Sequence, residues 1–305
     1  MKRDKKTVLL ANIALFVTVC FWGLSFPSTK HVLNSGFPPL TLAFFRFLLA
    51  SAIVFPLQRS EGEKKRIEKG TMVPLLGSSL FGITLYFFFE NQGIKLTSAS
   101  NASLIIACIP VFTIFADYLL YKNPVGLWKI IGILLSVGGV YLIVSSGIEA
   151  KLYPGVIRGN FFMIGACFCW VGYIMTSSRL KRRYSGIRLL FYQFTFGTGF
   201  LLPLALFEYR RWTFPGTTGV LNIVYLGAFC SAVGYYLYLF GLAKLGPVAV
   251  STYLNLVPVI GTVGGIIILH ERLLVSQVAG GGAIIAGILL INVRRRRKKT
   301  PQRTL

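Results

Sequence analysis

Three charged residues, Arg46, Glu90 and Asp117, lie within long apolar stretches of the 305-residue sequence. Asp117 lies one turn from the end of its stretch, close to Lys122, where we expect an anchoring role in preference to transport. If such a stretch crosses a membrane, a charge near its centre costs roughly 2.5–3.5 kcal/mol or more, so it requires a partner or a function. Arg46 could bind a carboxylate through both arms of its guanidinium group, or pair with an acid and hold two helices together. Glu90, beside the polar candidate Asn91, could bind an amine or carry a proton; the alternative is an interfacial acid near Lys95.

Aromatic side chains form a second group of candidates. Trp22 with Ser25, and Trp170 with Tyr173, occupy comparable places in two predicted helices, and Tyr235 lies on a third. Aromatic rings that face a cavity can stack on or enclose a cation, although such rings also pack against lipid. Both interpretations stay open at this point.

Two asparagines complete the candidate set. Asn101 and Asn255 each lie within ten residues of a proline, Pro110 and Pro258 respectively, that interrupts a predicted helix. At such an interruption, freed backbone carbonyls and polar side chains could contact a substrate.

The elements that must position these residues are apolar helices. Hydrophobic residues make up 54% of the chain and charged residues 13%, whereas a soluble domain carries about 25% charge. Roughly 20 apolar residues in helical form cross a bilayer. We therefore predict an all-α integral membrane protein with ten transmembrane helices, near residues 8–28, 39–57, 71–92, 99–120, 127–146, 157–177, 188–207, 219–240, 247–269 and 274–293.

The basic residues predict an orientation. With the N-terminus inside, 24 lysines and arginines fall on the side of both termini and seven, including Lys30 and Arg272, on the other. Because cytoplasmic segments carry the excess of basic residues, we expect a multi-pass cell-membrane protein with both termini cytoplasmic. In this orientation Arg46 and Glu90 lie in the outer half of the membrane, where an ion pair between them is a hypothesis. The spread of charge along one rim argues against a nucleic-acid partner, despite the net charge of +23.

The two halves of the sequence repeat each other at an offset of 148 residues. The segment GIKLTSASNASLIIACIP at residues 93–110 corresponds to GLAKLGPVAVSTYLNLVP at residues 241–258. Because five helices is an odd number, the second copy must enter the membrane from the opposite side. We expect two inverted five-helix repeats, residues 1–148 and 149–305, an architecture typical of secondary transporters.

At these residues the chain resembles the drug/metabolite transporter superfamily, specifically its ten-helix EamA-type branch. The resemblance rests on WGLSFPSTK at residues 22–30, Arg46 in LAFFRFLLA, FFFENQGIKLTSASNASLI at residues 87–105, and HERLL at residues 270–274. It implies a central cavity lined by helices 1–4 and 6–9, with helices 5 and 10 at the periphery. It also implies export or exchange of small metabolites, commonly amino acids, by alternating access. Where the family often has an acidic residue between helices 4 and 5, this chain has Asn123.

Motifs of several enzyme classes are missing from the sequence. HERLL is not HExxH, and neither GxxxxGK[ST] nor GxSxG occurs. The five cysteines lie in apolar runs without a CxxC pair at zinc-ligand spacing. We therefore predict that the protein is not an enzyme and uses no metal or cofactor.

The sequence thus predicts a secondary transporter, exporting small metabolites such as amino acids through the lipid bilayer, with protons as a coupling partner through Glu90. A multidrug exporter of the same fold and, in a different class, a lipid-modifying membrane enzyme are the alternatives. Small residues spaced four apart, such as Ala283 and Gly287, let helices approach closely. They predict packing within the fold, or else a homodimer through helix 10.

Overall fold

The computed structural model describes residues 5–60, 67–122, 126–149, 155–178, 180, 183–245, 250 and 253–293. Every regular element in this part of the chain is a helix. The helices, labelled in chain order, are α1 (Lys5–Asn34), α2 (Pro39–Ser60), α3 (Met72–Leu96), α4 (Ala99–Ile106 and Ile109–Tyr121), α5 (Leu127–Glu149), α6 (Val156–Ser178), α7 (Gly186–Phe207), α8 (Gly216–Leu245), α9 (Val257–Leu269) and α10 (Val275–Val293).

Eight of these helices, α1 to α8, are long and apolar enough to cross a membrane by length and composition. This confirms the predicted all-helical membrane fold. The shorter apolar helices α9 and α10 stand where the ninth and tenth spans were predicted, so the count of ten spans stays a prediction. The division at residue 148 also stays a prediction. Residues 150–154, Asn123 and both chain ends lie outside the described residues.

Two helices contain a π-helical turn, in which each N–H bonds one residue farther back than in an α-helix. The turn in α3 spans Leu80–Leu85 and the turn in α8 spans Tyr225–Val233, so their last residues are 148 apart. Each turn rotates the side chains that follow it. These side chains include Tyr86 and Glu90 on α3 and Tyr235 on α8.

Prolines interrupt α4 and α9 as expected from the sequence. The first helix of α4 ends at Ile106, two residues are in a turn, and the second helix begins with Pro110 in its first turn. In the second half, Asn255 is in the turn that precedes α9, which begins with Pro258 in its first turn. A proline lacks the N–H that would continue the helix and its ring collides with the preceding turn.

Glycines allow α5 and α10 to pack very closely against each other. A β-carbon added at Gly139 would lie 2.5 Å from the carbonyl oxygen of Gly280, and one at Gly280 would lie 2.6 Å from that of Gly139. Gly287 has the same relation to the carbonyl oxygen of Gly132. These small residues therefore pack within the fold, and α5 and α10 have most of their contacts with each other.

The packing of α5 on α10 predicts unequal effects of two adjacent substitutions. Gly139→Ala should lower the free energy of unfolding by about 1–3 kcal/mol, because its methyl group collides with the backbone of α10. Gly138→Ala is the matched control, since nothing lies within 4 Å of its added β-carbon. Thermal unfolding in detergent, followed by tryptophan fluorescence, measures both. Equal midpoints for the two variants would show that this helix contact is not formed.

Candidate functional site

Arg46 is held by three helices. It is buried on α2, and its Nε donates to Ser231 Oγ, 2.9 Å away in the π turn of α8. Its guanidinium carbon lies 4.4 Å from the ring centroid of Phe87 on α3 and 5.6 Å from that of Phe47. The rings attract the cation through their negative faces and shield it from lipid.

Glu90 is placed nearby by α3. Its Oε1 accepts a hydrogen bond of 2.8 Å from the hydroxyl of Tyr86, one helical turn earlier. No nitrogen of Arg46 lies within the 4.0 Å of a Glu90 oxygen that defines an ion pair, although the two charges interact electrostatically. Within the described part of the chain, the Nη atoms of Arg46 and the Oε2 of Glu90 have no hydrogen-bond partner. Both charges therefore keep bonding capacity for another molecule.

Aromatic rings from four helices form one cluster beside these charges. We call it the aromatic cluster: Trp22, Tyr86, Trp170, Tyr173, Tyr235 and Tyr238. The ring centroid of Trp22 lies 5.2 Å from that of Tyr235 and 5.4 Å from that of Tyr238. The centroid of Trp170 lies 5.0 Å from those of both Tyr86 and Tyr173, and 6.5 Å from that of Trp22. Such separations are typical of favourable ring contacts.

Both halves of the chain contribute to the aromatic cluster. Trp22 on α1 and Trp170 on α6 are 148 residues apart, and both are half-buried. The indole N–H of Trp22 donates to the carbonyl oxygen of Cys230 at 2.9 Å. On α8, Tyr235 is 5% exposed whereas Tyr236 is 45% exposed, because neighbouring residues of a helix point to different faces.

Three predicted site residues lie outside this arrangement. Ser25 donates to the carbonyl oxygen of Trp22 within α1. Asn91 donates to the carbonyl oxygen of Pro39 at the start of α2, and its own buried Oδ1 has no partner within the described residues. Asn255 is half-buried in the turn that precedes α9. Their contact with a substrate stays a prediction.

Asn101 belongs to a buried amide network between helices. Its Nδ2 donates to Asn160 Oδ1 on α6 at 2.7 Å and to Thr97 Oγ1 at 3.0 Å. Its Oδ1 accepts from Gln277 on α10 at 3.5 Å. The side chain thus joins α4 to α6 and α10, a structural use that the sequence did not indicate.

Two charged residues that sequence reasoning missed lie at the corner where α3 ends and α4 begins. Lys30, counted among the residues outside the bilayer, is 3% exposed and belongs to α1. Glu271, from HERLL, is 9% exposed. Lys30 donates to backbone carbonyls of the corner and Glu271 accepts from its backbone N–H groups. Both residues stand in the motifs that carry the family resemblance, and that was the signal available for them.

A further carboxylate caps α2, the helix that carries Arg46. Glu208, at the end of α7, accepts through Oε2 from the backbone N–H groups of Leu40 and Thr41 at 2.9 and 2.8 Å. It also accepts from the Thr41 hydroxyl at 3.0 Å. A carboxylate in this place satisfies the free N–H groups of a first helical turn and complements the helix dipole.

The candidate site groups side chains of three chemical kinds. It offers a guanidinium group, a carboxylate and aromatic rings, which suit a small molecule that carries both charges and an apolar portion. Within the described residues, no three His, Cys, Asp or Glu side chains are grouped so as to hold a metal ion.

Comparison with known proteins identifies the family. The EamA-like transporter family matches the chain twice, over residues 9–145 and 157–293. An uncharacterized transporter of Archaeoglobus fulgidus is 31% identical over 263 residues, which cover 86% of this chain and 90% of that protein. A probable terminal-alkyne amino-acid exporter of Streptantibioticus cattleyicolor is 28% identical over 259 residues, 85% of each chain. A crystal structure with a TM-score of 0.66 and 19% identity covers 95% of this chain and 99% of that one, a likeness of fold.

The amide network predicts a non-additive pair of substitutions. Asn101→Leu alone should cost about 1–3 kcal/mol of stability, because the buried Oδ1 of Asn160 then keeps only the longer bond of 3.3 Å from the Thr97 hydroxyl. Adding Asn160→Leu should recover part of that loss, since the amide pair is then gone while Thr97 and Gln277 still lack their bonds to Asn101. Thermal unfolding of the four proteins in the cycle measures the coupling. Strictly additive losses would exclude the network as a source of stability.

Proposed function

The chain belongs to the EamA-like transporter family, and on that premise we propose that it is a secondary exporter of small zwitterionic metabolites, amino acids first. It is a multi-pass membrane protein and a transporter, with a small-molecule substrate and a lipid bilayer as its surroundings. Its curated relatives are named as transporters or exporters, so it is not an enzyme. This excludes the alternative of a lipid-modifying membrane enzyme.

The observation that carries this proposal is the unused bonding capacity of Arg46 and Glu90. A substrate carboxylate could take both Nη groups of Arg46 in a bidentate pair, and a substrate ammonium could bind Oε2 of Glu90. The aromatic cluster would then contact the substrate's apolar portion and, through its ring faces, the ammonium group. The relative from Streptantibioticus cattleyicolor, named a probable amino-acid exporter, supports the same substrate class.

We further propose that transport occurs by alternating access between two inverted halves, residues 1–148 and 149–305, in the cell membrane with both termini cytoplasmic. The double match of the family, over residues 9–145 and 157–293, supports the division. The excess of basic residues on one side supports the orientation. A homodimer would have to use the outer face of α10, where Val278 and Leu289 are exposed, since Gly280 and Gly287 contact α5.

The multidrug exporter remains the second candidate, because the aromatic cluster also fits a lipophilic cation. Arg46 weighs against it, since a buried guanidinium group repels a cation that brings no carboxylate. Competition between amino acids and lipophilic cations for uptake into inverted vesicles distinguishes the two.

We expect neutralisation of either site charge to slow export strongly. Glu90→Gln and Arg46→Gln should each lower the efflux rate of the substrate about 10- to 100-fold, the effect of losing one charge-assisted hydrogen bond. Extracellular metabolites are measured by mass spectrometry in cells with matched amounts of membrane protein. Arg59→Gln and Glu68→Gln are the matched controls. Arg59 is exposed and the Glu68 side chain is 40% exposed, and both lie at the opposite end of the bundle. Wild type that enriches no soluble metabolite would contradict the proposed function.

Proton coupling through Glu90 is tested separately in proteoliposomes. A pH gradient should accelerate wild-type transport several-fold, since a carboxylate that binds substrate and proton in turn exchanges one for the other. Glu90→Gln should show no response to the gradient. An equal response in both proteins would place the coupling elsewhere, and no response in either would indicate facilitated diffusion.

A further inference from the structure

Two buried residues, Thr97 and Ser98, connect the end of α3 at Leu96 to the start of α4 at Ala99 and break the helical hydrogen bonding there. Such a break leaves the last carbonyl groups of one helix and the first N–H groups of the next without intrahelical partners. Where water cannot reach these backbone groups, each unpaired group costs several kcal/mol. At this corner, side chains from other helices supply the missing partners.

Lys30 satisfies the carbonyl side. Its ammonium nitrogen lies 2.9 Å from the carbonyl oxygen of Ile94, 3.2 Å from that of Lys95 and 2.6 Å from that of Thr97. The end of a helix carries partial negative charge, so the cation is placed where the helix dipole favours it. Lys30 comes from α1, which packs beside this corner.

Glu271 satisfies the N–H side. Its Oε1 accepts from the backbone N–H of Ala99 at 2.7 Å, and its Oε2 accepts from the N–H and hydroxyl of Ser100 at 2.9 and 2.6 Å. The preceding residue, His270, has a φ of 53°, and this left-handed turn ends α9 and directs the chain back towards α4. The carboxylate therefore reaches the first half of the chain from the second.

The residues of this corner are buried. Thr97, Ser98 and Ser100 are buried together with Lys30 and Glu271. At the other end of α3, by contrast, the ion pair between Arg183 and Glu68 has side chains that are 54% and 40% exposed. Passage of a substrate at this corner would therefore require movement of buried backbone that is hydrogen-bonded to Lys30 and Glu271.

We propose that the α3–α4 corner is a gate and that Lys30 and Glu271 are the two side chains that latch it shut. The inference rests on the proposed alternating access, and it assigns the closed end of the exporter to named residues. Glu90 lies six residues before the end of α3, about 9 Å along the helix, so movement at the corner reaches the substrate site. Opening separates each charge from its helix end, which holds the gate closed until substrate binding compensates for the loss.

Lys30 and Glu271 also attract each other electrostatically, and a charge swap separates that attraction from the capping of the two helix ends. In a salt bridge, the double variant Lys30→Glu/Glu271→Lys restores the attraction. In the latch, the same swap places a carboxylate against carbonyl oxygens and an ammonium against N–H groups, so it breaks both caps. Glu271→Gln and Lys30→Met remove one cap each and serve as the milder variants.

The first measurement is hydrogen–deuterium exchange of the purified protein in nanodiscs, without substrate. In Glu271→Gln, the amides of Ala99 and Ser100 should exchange at least about tenfold faster than in wild type. Glu208→Gln is the matched control, because it frees the amides of Leu40 and Thr41 and should leave those of the corner unchanged. Thermal unfolding confirms that each variant is folded.

The second measurement tests gating itself. A cysteine placed at Ser25, between the corner and the aromatic cluster, is labelled with a membrane-impermeant maleimide on intact cells and on inside-out vesicles. Breaking the latch, including by the charge swap, should accelerate labelling about tenfold from one membrane face only. Faster amide exchange with unchanged labelling would reduce Lys30 and Glu271 to static caps and overturn the proposal, as would a charge swap that restores slow labelling.

These measurements do not require a known substrate. If Glu271→Gln and Lys30→Met are labelled faster but wild type enriches no soluble metabolite outside the cell, the latch is supported and the proposed substrate class is rejected. Unchanged amide exchange and labelling beside a successful metabolite assay would reject the latch and keep the exporter.

Discussion

The structure depends on the rule that backbone polar groups inside a membrane must find partners within the protein. An unbroken helix meets this rule alone, but this fold contains several breaks. The break between α3 and α4 is completed by Lys30 from α1 and Glu271 from the connection between α9 and α10. The start of α2 is completed by Glu208 from α7. Helices distant in sequence are thus connected by hydrogen bonds to the backbone N–H and carbonyl groups that are left unpaired at helix ends.

Five of the charged residues that the structure describes fall into two groups. Lys30 and Glu271 are buried and the half-buried Glu208 lies beside α2; all three bond to backbone groups at helix ends, which offsets the cost of removing them from water. Arg46 and Glu90 have one protein hydrogen bond each and retain unbonded atoms beside the aromatic cluster. A charge that is buried but incompletely bonded is the stronger sign of a binding role, since stability alone would favour completing its bonds.

The offset of 148 residues recurs throughout the structure. It relates Trp22 to Trp170, the π turns that end at Leu85 and Val233, and the left-handed residues Lys122 and His270. These shared features are backbone and aromatic ones. The charges differ between the halves: Arg46 corresponds to Phe194, and Glu271 corresponds to Asn123. The two halves thus share backbone geometry and aromatic positions, while the charged residues at the helix ends and in the candidate site occur in one half only.

The sequence by itself determined the membrane class, the family, the helix breaks at Pro110 and Pro258, and the presence of Arg46 and Glu90 in apolar helices. These follow from hydropathy, repeat spacing and proline geometry, which are local properties of the chain. Only the tertiary structure decided that Tyr86 and Ser231 hold Glu90 and Arg46, that Asn101 joins three helices, and that Lys30 is buried. Those outcomes depend on which helix ends and faces meet. That is set by packing between residues far apart in the chain, so no local pattern records it.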